Sequence, residues 1–216
     1  MKKSVFVFTA SAITLFSIAA SEAQVKDSPS KKPTSTQVDS NTTKTTQTSD
    51  KGLPNTKVVG GAQMLPSDDI VENTSKSKDH TALVTAIQSA GLTDSLKAAG
   101  PFTVFAPTND AFAKLAPGTL DTLNKSANKA KLADVIEFHI VPGKLTSKDL
   151  ALAVARANGN ASLTTIEGEN LHISINAEKN LQITDTKGNI ALVTMFDIEQ
   201  SNGIVHVVNN VLLPKE

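Results

Sequence analysis

The chain contains no cysteine, no tryptophan and no tyrosine. The first absence excludes disulfides and thiolate–metal chemistry, so a folded part must be held by its own apolar core. It also removes the residue that would carry a lipid anchor behind an N-terminal leader. The other two leave Phe as the only ring with which to stack on bases, and it occurs just 8 times. Net charge is lacking too: 21 basic residues balance 21 acidic ones. That zero hides a split. Residues 1–23 have two Lys against one Glu (+1), residues 24–57 six Lys against three Asp (+3), and residues 58–216 thirteen basic against seventeen acidic (−4). A mildly acidic main part lacks the basic face that nucleic acid demands, so no nucleic-acid partner is expected.

Long hydrophobic runs are also scarce. The one present, Val5 to Ala20, is broken only by Thr and Ser and follows Lys2 and Lys3. It falls short of the ~20 residues a membrane span needs. Ser21-Glu22-Ala23 then offers small residues where a signal peptidase cuts, so residues 1–23 read as a signal peptide and the mature chain as starting near Gln24. Export to the periplasm, cell surface or medium follows, fitting a bacterial source, with no stable membrane span after cleavage. Residues 24–57 are rich in Ser, Thr, Lys and Gln and nearly free of aliphatic side chains. Such a segment cannot bury enough apolar surface to offset its ordering entropy, and it reads as a disordered tether.

The remainder, residues 58–216, is long enough for one core. Asp68, Asp69 and Glu72 favour a helix start after Pro66. Asp79 is expected to cap a second helix with Leu83, Ala86, Ile87 and Ala90 along one face and Gly91 as its stop. A short helix over Thr93–Ala99 precedes a strand, Phe102–Ala106, closed by Pro107. Thr108 caps a turn of helix carrying Ala111, Phe112 and Leu115, and Ser126–Ile140 is the strongest helical run. Pro142-Gly143 marks a turn, and Thr146 with Asp149 forms a capping box for a helix ending near Asn158-Gly159. The rest switches to period two, with strands at Ser162–Ile166, Leu171–Ile175, Leu181–Thr184, Ile190–Phe196 and Ile204–Leu213. Helices first and strands later, with one strand inserted early, point to an α+β fold.

Motifs of catalysis are missing: there is no Gly-x-Ser-x-Gly elbow, phosphate-binding glycine loop, His-Glu-x-x-His pair or calcium loop. His80, His139, His172 and His206 have no His neighbour at zinc-ligand spacing. No metal or cofactor is expected. His206 alternates with Ile204 and Val208 while Val205 and Val207 face the other way, the pattern of a strand buried on both sides with a satisfied core histidine. His80 supports a helix start, and His172 lies on the polar face of a strand.

Three stretches together resemble the fasciclin domain family. Gly100-Pro-Phe-Thr-Val-Phe-Ala-Pro-Thr-Asn-Asp-Ala-Phe112 is similar to its first box, Phe138-His139 followed by Ile140-Val-Pro-Gly143 to its Tyr-His region, and Ser201-Asn-Gly-Ile-Val-His-Val-Val-Asn-Asn-Val-Leu-Leu-Pro214 to its second box. The resemblance implies a wedge of orthogonal β-sheets with packed α-helices. It also implies adhesion or surface interaction without enzymatic activity. In animal relatives an Asp-Ile pair before the second box and the Tyr-His region carry partner binding, which would here be Asp197 and Ile198, and Phe138 and His139. Phe138 lacks the hydroxyl of Tyr. Each of the four also has a structural reading: Asp197 making a turn through its own side chain with Ile198 packed beneath it, and Phe138 and His139 closing the core at a helix end.

The function expected is that of an exported, non-enzymatic adhesion module whose partner is a surface protein or extracellular polymer. A periplasmic carrier for a small apolar ligand is the alternative. A hydrolase built on Thr108, Asp110, Glu137 and His139 is the third reading.

Overall fold

A computed structural model describes residues 56–98 and 100–215. The expected signal peptide and nearly all of the expected tether lie outside the described residues. Lys57, placed at the tether's end by composition, opens a strand instead: β1 (Lys57–Val59) pairs antiparallel with β2 (Ala62–Met64) in a hairpin that sequence reasoning missed. Its signal is Gly60-Gly61, both with positive φ, as a two-residue turn requires.

Helices follow. Asp69 caps α1 (Ile70–Lys76) in a full capping box with Glu72. A 3-10 turn (Lys78–His80) is capped by Ser77, not Asp79, and α2 (Thr81–Ala90) ends on left-handed Gly91. Then come α3 (Thr93–Lys97), β3 (Phe102–Pro107) behind a cis Gly100–Pro101 bond, α4 (Asn109–Ala113) capped by Thr108, and α5 (Thr119–Leu123). The strongest helical run is shorter than its pattern suggested. A 3-10 turn (Ser126–Asn128) leads into α6 (Lys129–Phe138), whose C-cap is His139, and Ile140 has already left for β4 (Ile140–Pro142). The capping box of Thr146 and Asp149 opens α7 (Ser147–Arg156).

Five strands complete the fold: β5 (Asn160–Thr164), β6 (Asn170–Ile175), β7 (Leu181–Thr184), β8 (Ile190–Gln200) and β9 (Gly203–Val208). Hydrogen bonding orders a seven-stranded sheet as β4-β3-β9-β8-β7-β6-β5. The last strand in sequence is thus an inner one, parallel to β3 and antiparallel to β8. β8 serves two partners in succession. Ile190–Leu192 pair with β7, Val193–Gln200 pair with β9, and the second stretch is bulged between Val193 and Ile198. Pairing of Ile198–Gln200 with β9 carries β8 four residues past the expected end at Phe196. β9 stops five residues short of Leu213 because the chain beyond Val208 leaves the ladder.

Two apolar clusters lie on opposite sides of the inner strands. Val104 and Ala106 of β3 and Val205 and Val207 of β9 join Ile70, Leu83, Ile87, Phe112, Leu132 and Ile136 from the helices. Phe105 and Val208, alternating to the other face, join Phe138, Leu150 and Val154 with the buried side of β5–β8. Alternation on a strand covered from both sides makes all six residues of β9 buried. Gly203 sits where β9 meets β3 most closely: a Cβ there would lie 2.1 Å from the Phe102 carbonyl oxygen.

Candidate functional site

Of the four residues read as a partner site, three are inside the protein: Phe138 is 0%, His139 1% and Ile198 2% exposed. Phe138 ends α6 against Phe105 and Leu150 in the same cluster. His139 ties two backbone groups together. Its Nδ1 lies 2.7 Å from the Val135 carbonyl, and its Nε2 accepts the Leu212 N–H at 3.0 Å. A carbonyl only accepts and an amide N–H only donates, so the ring is neutral with its proton on Nδ1. Complete burial holds its pKa down at about 4. Ile198 lies beneath the β1–β2 hairpin, lining a cavity of about 10 Å³ with Val59, Met64 and His80.

Asp197 is the exception. It is half-buried, in the left-handed region at φ 51, on the bulged part of β8. Its carboxylate does not make a local turn. It accepts the N–H of Ser147 at 2.7 Å and the Ser147 hydroxyl, and so sits on the first residue of α7. A helix begins with N–H groups that have no partner within it, and a carboxylate there satisfies one and complements the helix dipole.

The same device recurs at two asparagines of the signature stretches, a role their local sequence does not predict. Asn109, in the first box, accepts the Ala82 N–H at 2.9 Å through Oδ1 and donates to the Lys78 carbonyl at 2.8 Å, supplying the α2 cap that Asp79 was expected to give. Asn202, in the second box, accepts the Ile70 N–H at 3.1 Å and donates to the Leu96 carbonyl at 2.6 Å, joining α1 to α3. His206 bonds to Asp197 and Leu145, and Asn209 accepts the Leu192 N–H at 2.8 Å. His206 is therefore the satisfied core histidine its pattern suggested. His172 is exposed on β6, while His80 is buried, bonds Ser77 and makes no capping bond to α2. Among the described residues no group of three or more His, Asp or Glu side chains converges to hold a metal ion.

The family pattern described as "Fasciclin domain" matches residues 78–214. This chain belongs to the fasciclin domain family. Protein sll1735 of Synechocystis sp. is 40% identical over 144 residues, 67% of this chain and 96% of that protein. Protein sll1483 of the same organism is 38% identical over 145 residues, 67% of this chain and 73% of its own length. The transforming growth factor-beta-induced protein ig-h3 of Sus scrofa is 38% identical over 132 residues, 61% of this chain but 17% of that longer protein. A solved fasciclin domain pair, from the insect cell adhesion molecule fasciclin I, superposes with a TM-score of 0.60 at 21% identity, covering 68% of this chain and 51% of that one. That likeness shows the fold. The wedge expected from the three boxes is thus the α+β fasciclin fold, and the boxes supply its seams: strand ends, helix caps and the two histidine ties.

Proposed function

We propose that this fasciclin domain is a non-enzymatic adhesion module, exported by residues 1–23, carried on residues 24–57, and binding a surface protein or an extracellular polymer. One observation carries the reading: in each of the three signature stretches, key polar side chains are committed to main-chain groups of the fold. Asn109, His139, Asn202 and His206 all bond backbone of other segments. Side chains so engaged hold a shape, and the work of recognition falls to the surface they hold. Asp197, with an edge in solvent, is the member of the proposed partner site best placed for contact, with Ile198, Phe138 and His139 acting from beneath. The kinship with a cell adhesion molecule supports the same reading.

The test is a pull-down from envelope material with the mature domain, beside attachment assays of a deletion strain. A specific partner, lost with D197A while circular dichroism is unchanged, is the expected result. No specific partner together with unaltered attachment would refute the module. The carrier reading draws on an open groove of about 380 Å³ with Leu123, Val135, Leu213 and Pro214 on its walls. Native mass spectrometry of protein purified from its own host, showing a co-purified ligand, would favour the carrier instead.

A further inference from the structure

His206 lies in β9 with no exposure, 5.7 Å from Phe105 in a stacked pair and 6.2 Å from Phe196 edge-on. Its Nδ1 accepts the Asp197 N–H at 3.3 Å, and its Nε2 is 2.9 Å from the Leu145 carbonyl. By donor and acceptor chemistry alone the ring is neutral, with its one proton on Nε2. A second proton has only Nδ1 to occupy, and there it would face an N–H.

The second of these bonds, from Nε2 to the Leu145 carbonyl, holds the connection between β4 and α7, residues 143–147. Its other polar ties include the Gly143 N–H, which donates to the Pro101 carbonyl at 2.8 Å, and bonds to two side chains of neighbouring strands. Thr103 Oγ1 donates to the Gly143 carbonyl at 2.6 Å and accepts the Leu145 N–H at 2.9 Å, and Asp197 accepts from Ser147. The charged groups facing the ring are the Asp197 carboxylate from β8 and the Lys57 ammonium from β1, whose Nζ donates to the Phe196 carbonyl. Phe105 brings no charge, and Lys144 of the connection is turned to Glu199 at 3.4 Å.

We propose that residues 143–147 are a strap whose helix end is released by acid: a proton taken from solvent onto Nδ1 of His206 breaks the bond from the Asp197 N–H, draws the Asp197 carboxylate from Ser147 towards the ring, and frees the start of α7. The Nε2–H bond to Leu145 and the ties of Gly143 hold residues 143–145 as the hinge. The capping box of Thr146 and Asp149 travels with the helix, so α7 lifts as a helix. Leu150 and Val154, its buried residues, are then uncovered. Burial, the largest influence, lowers the His206 pKa from its ordinary 6.5 in the closed form. The lifted form regains the ordinary value. Opening therefore gains about tenfold per pH unit below 6.5 for one proton, and levels off once the closed form also titrates.

Hydrogen exchange of the full chain between about pH 7.5 and 5.5, corrected for intrinsic chemistry, tests this. Opening of residues 146–156 should rise about tenfold per pH unit below about 6.5, with β6 and β7 rising less. H206Q, whose amide offers a donor and an acceptor without titrating, should remove that rise, and H80Q and H139Q should keep it. A rise that survives H206Q, or that β6 and β7 share in full, overturns the strap. Should H206Q not fold, the unaltered chain decides with the other two variants: a flat response, or one lost in H80Q or H139Q, is equally fatal.

Discussion

Asn109, Asn202 and Asp197 solve one problem at single positions. Each satisfies the opening N–H of a helix that begins far away in sequence, at Ala82, Ile70 and Ser147. Hydrogen bonds to charged groups are worth about 1.5–3 kcal/mol, so D197A should lower stability by that amount in urea titrations, and D197N, which keeps an acceptor for the Ser147 N–H, by less. His139 sets a pH dependence. It is neutral in the fold down to about 4 and titrates at 6.5 once unfolded. Between those values the unfolded chain binds a proton that the folded one does not, so stability is intact above 6.5 and falls as pH drops, by roughly 3 kcal/mol at pH 4. Urea midpoints from pH 7 to 4 should show that loss, and H139Q should reduce the slope by one proton. None of these partnerships could be read locally. Only the folded chain brings Asn109 and Asn202 to the helices they cap.

At the scale of elements, local chemistry was legible wherever both halves of a device were close in sequence. Thr146 with Asp149, Thr108 before Ala111, and Gly91 after Ala90 were read directly and stand as read. Asp79 was misread because Ser77, two residues earlier, accepts from its N–H, while α2 takes its cap from another helix. Ile140 fits the apolar stripe of α6 yet belongs to β4, since pairing with Val104 prevails over helical spacing. The β1–β2 hairpin went unseen because three-residue strands carry too little pattern beside a polar stretch. The β3–β9 seam gives a sharper prediction. With the Phe102 carbonyl 2.1 Å from any added Cβ, G203A must force the strands apart. It should cost about 3 kcal/mol, the upper part of the overpacking range, seen as a lowered melting temperature.

Across the whole domain, the two apolar clusters share β3 and β9, so neither can be lost alone. Unfolding followed by circular dichroism and by amide exchange in the core should give one coincident transition. A chain ending at Gln200 would lack the strand that contacts both clusters and should not fold, which a flat near-baseline melting curve would reveal. Fold class was legible at this scale because the order of helix and strand patterns survives errors at their ends. The partner was not, because recognition depends on surface shape that no periodicity encodes.

The place of β9 has a further consequence for how such a chain is handled before it is finished. The segment that closes the sheet leaves the ribosome after every other strand described here, and its parallel partner was made about a hundred residues earlier. Until then the nascent polypeptide has no inner rail on which to assemble, and long-range pairing of this kind is slow, on the order of milliseconds to seconds. On the proposed route of export, a secretion channel that threads only loose chains therefore receives the chain while its sheet still lacks the strand that closes it.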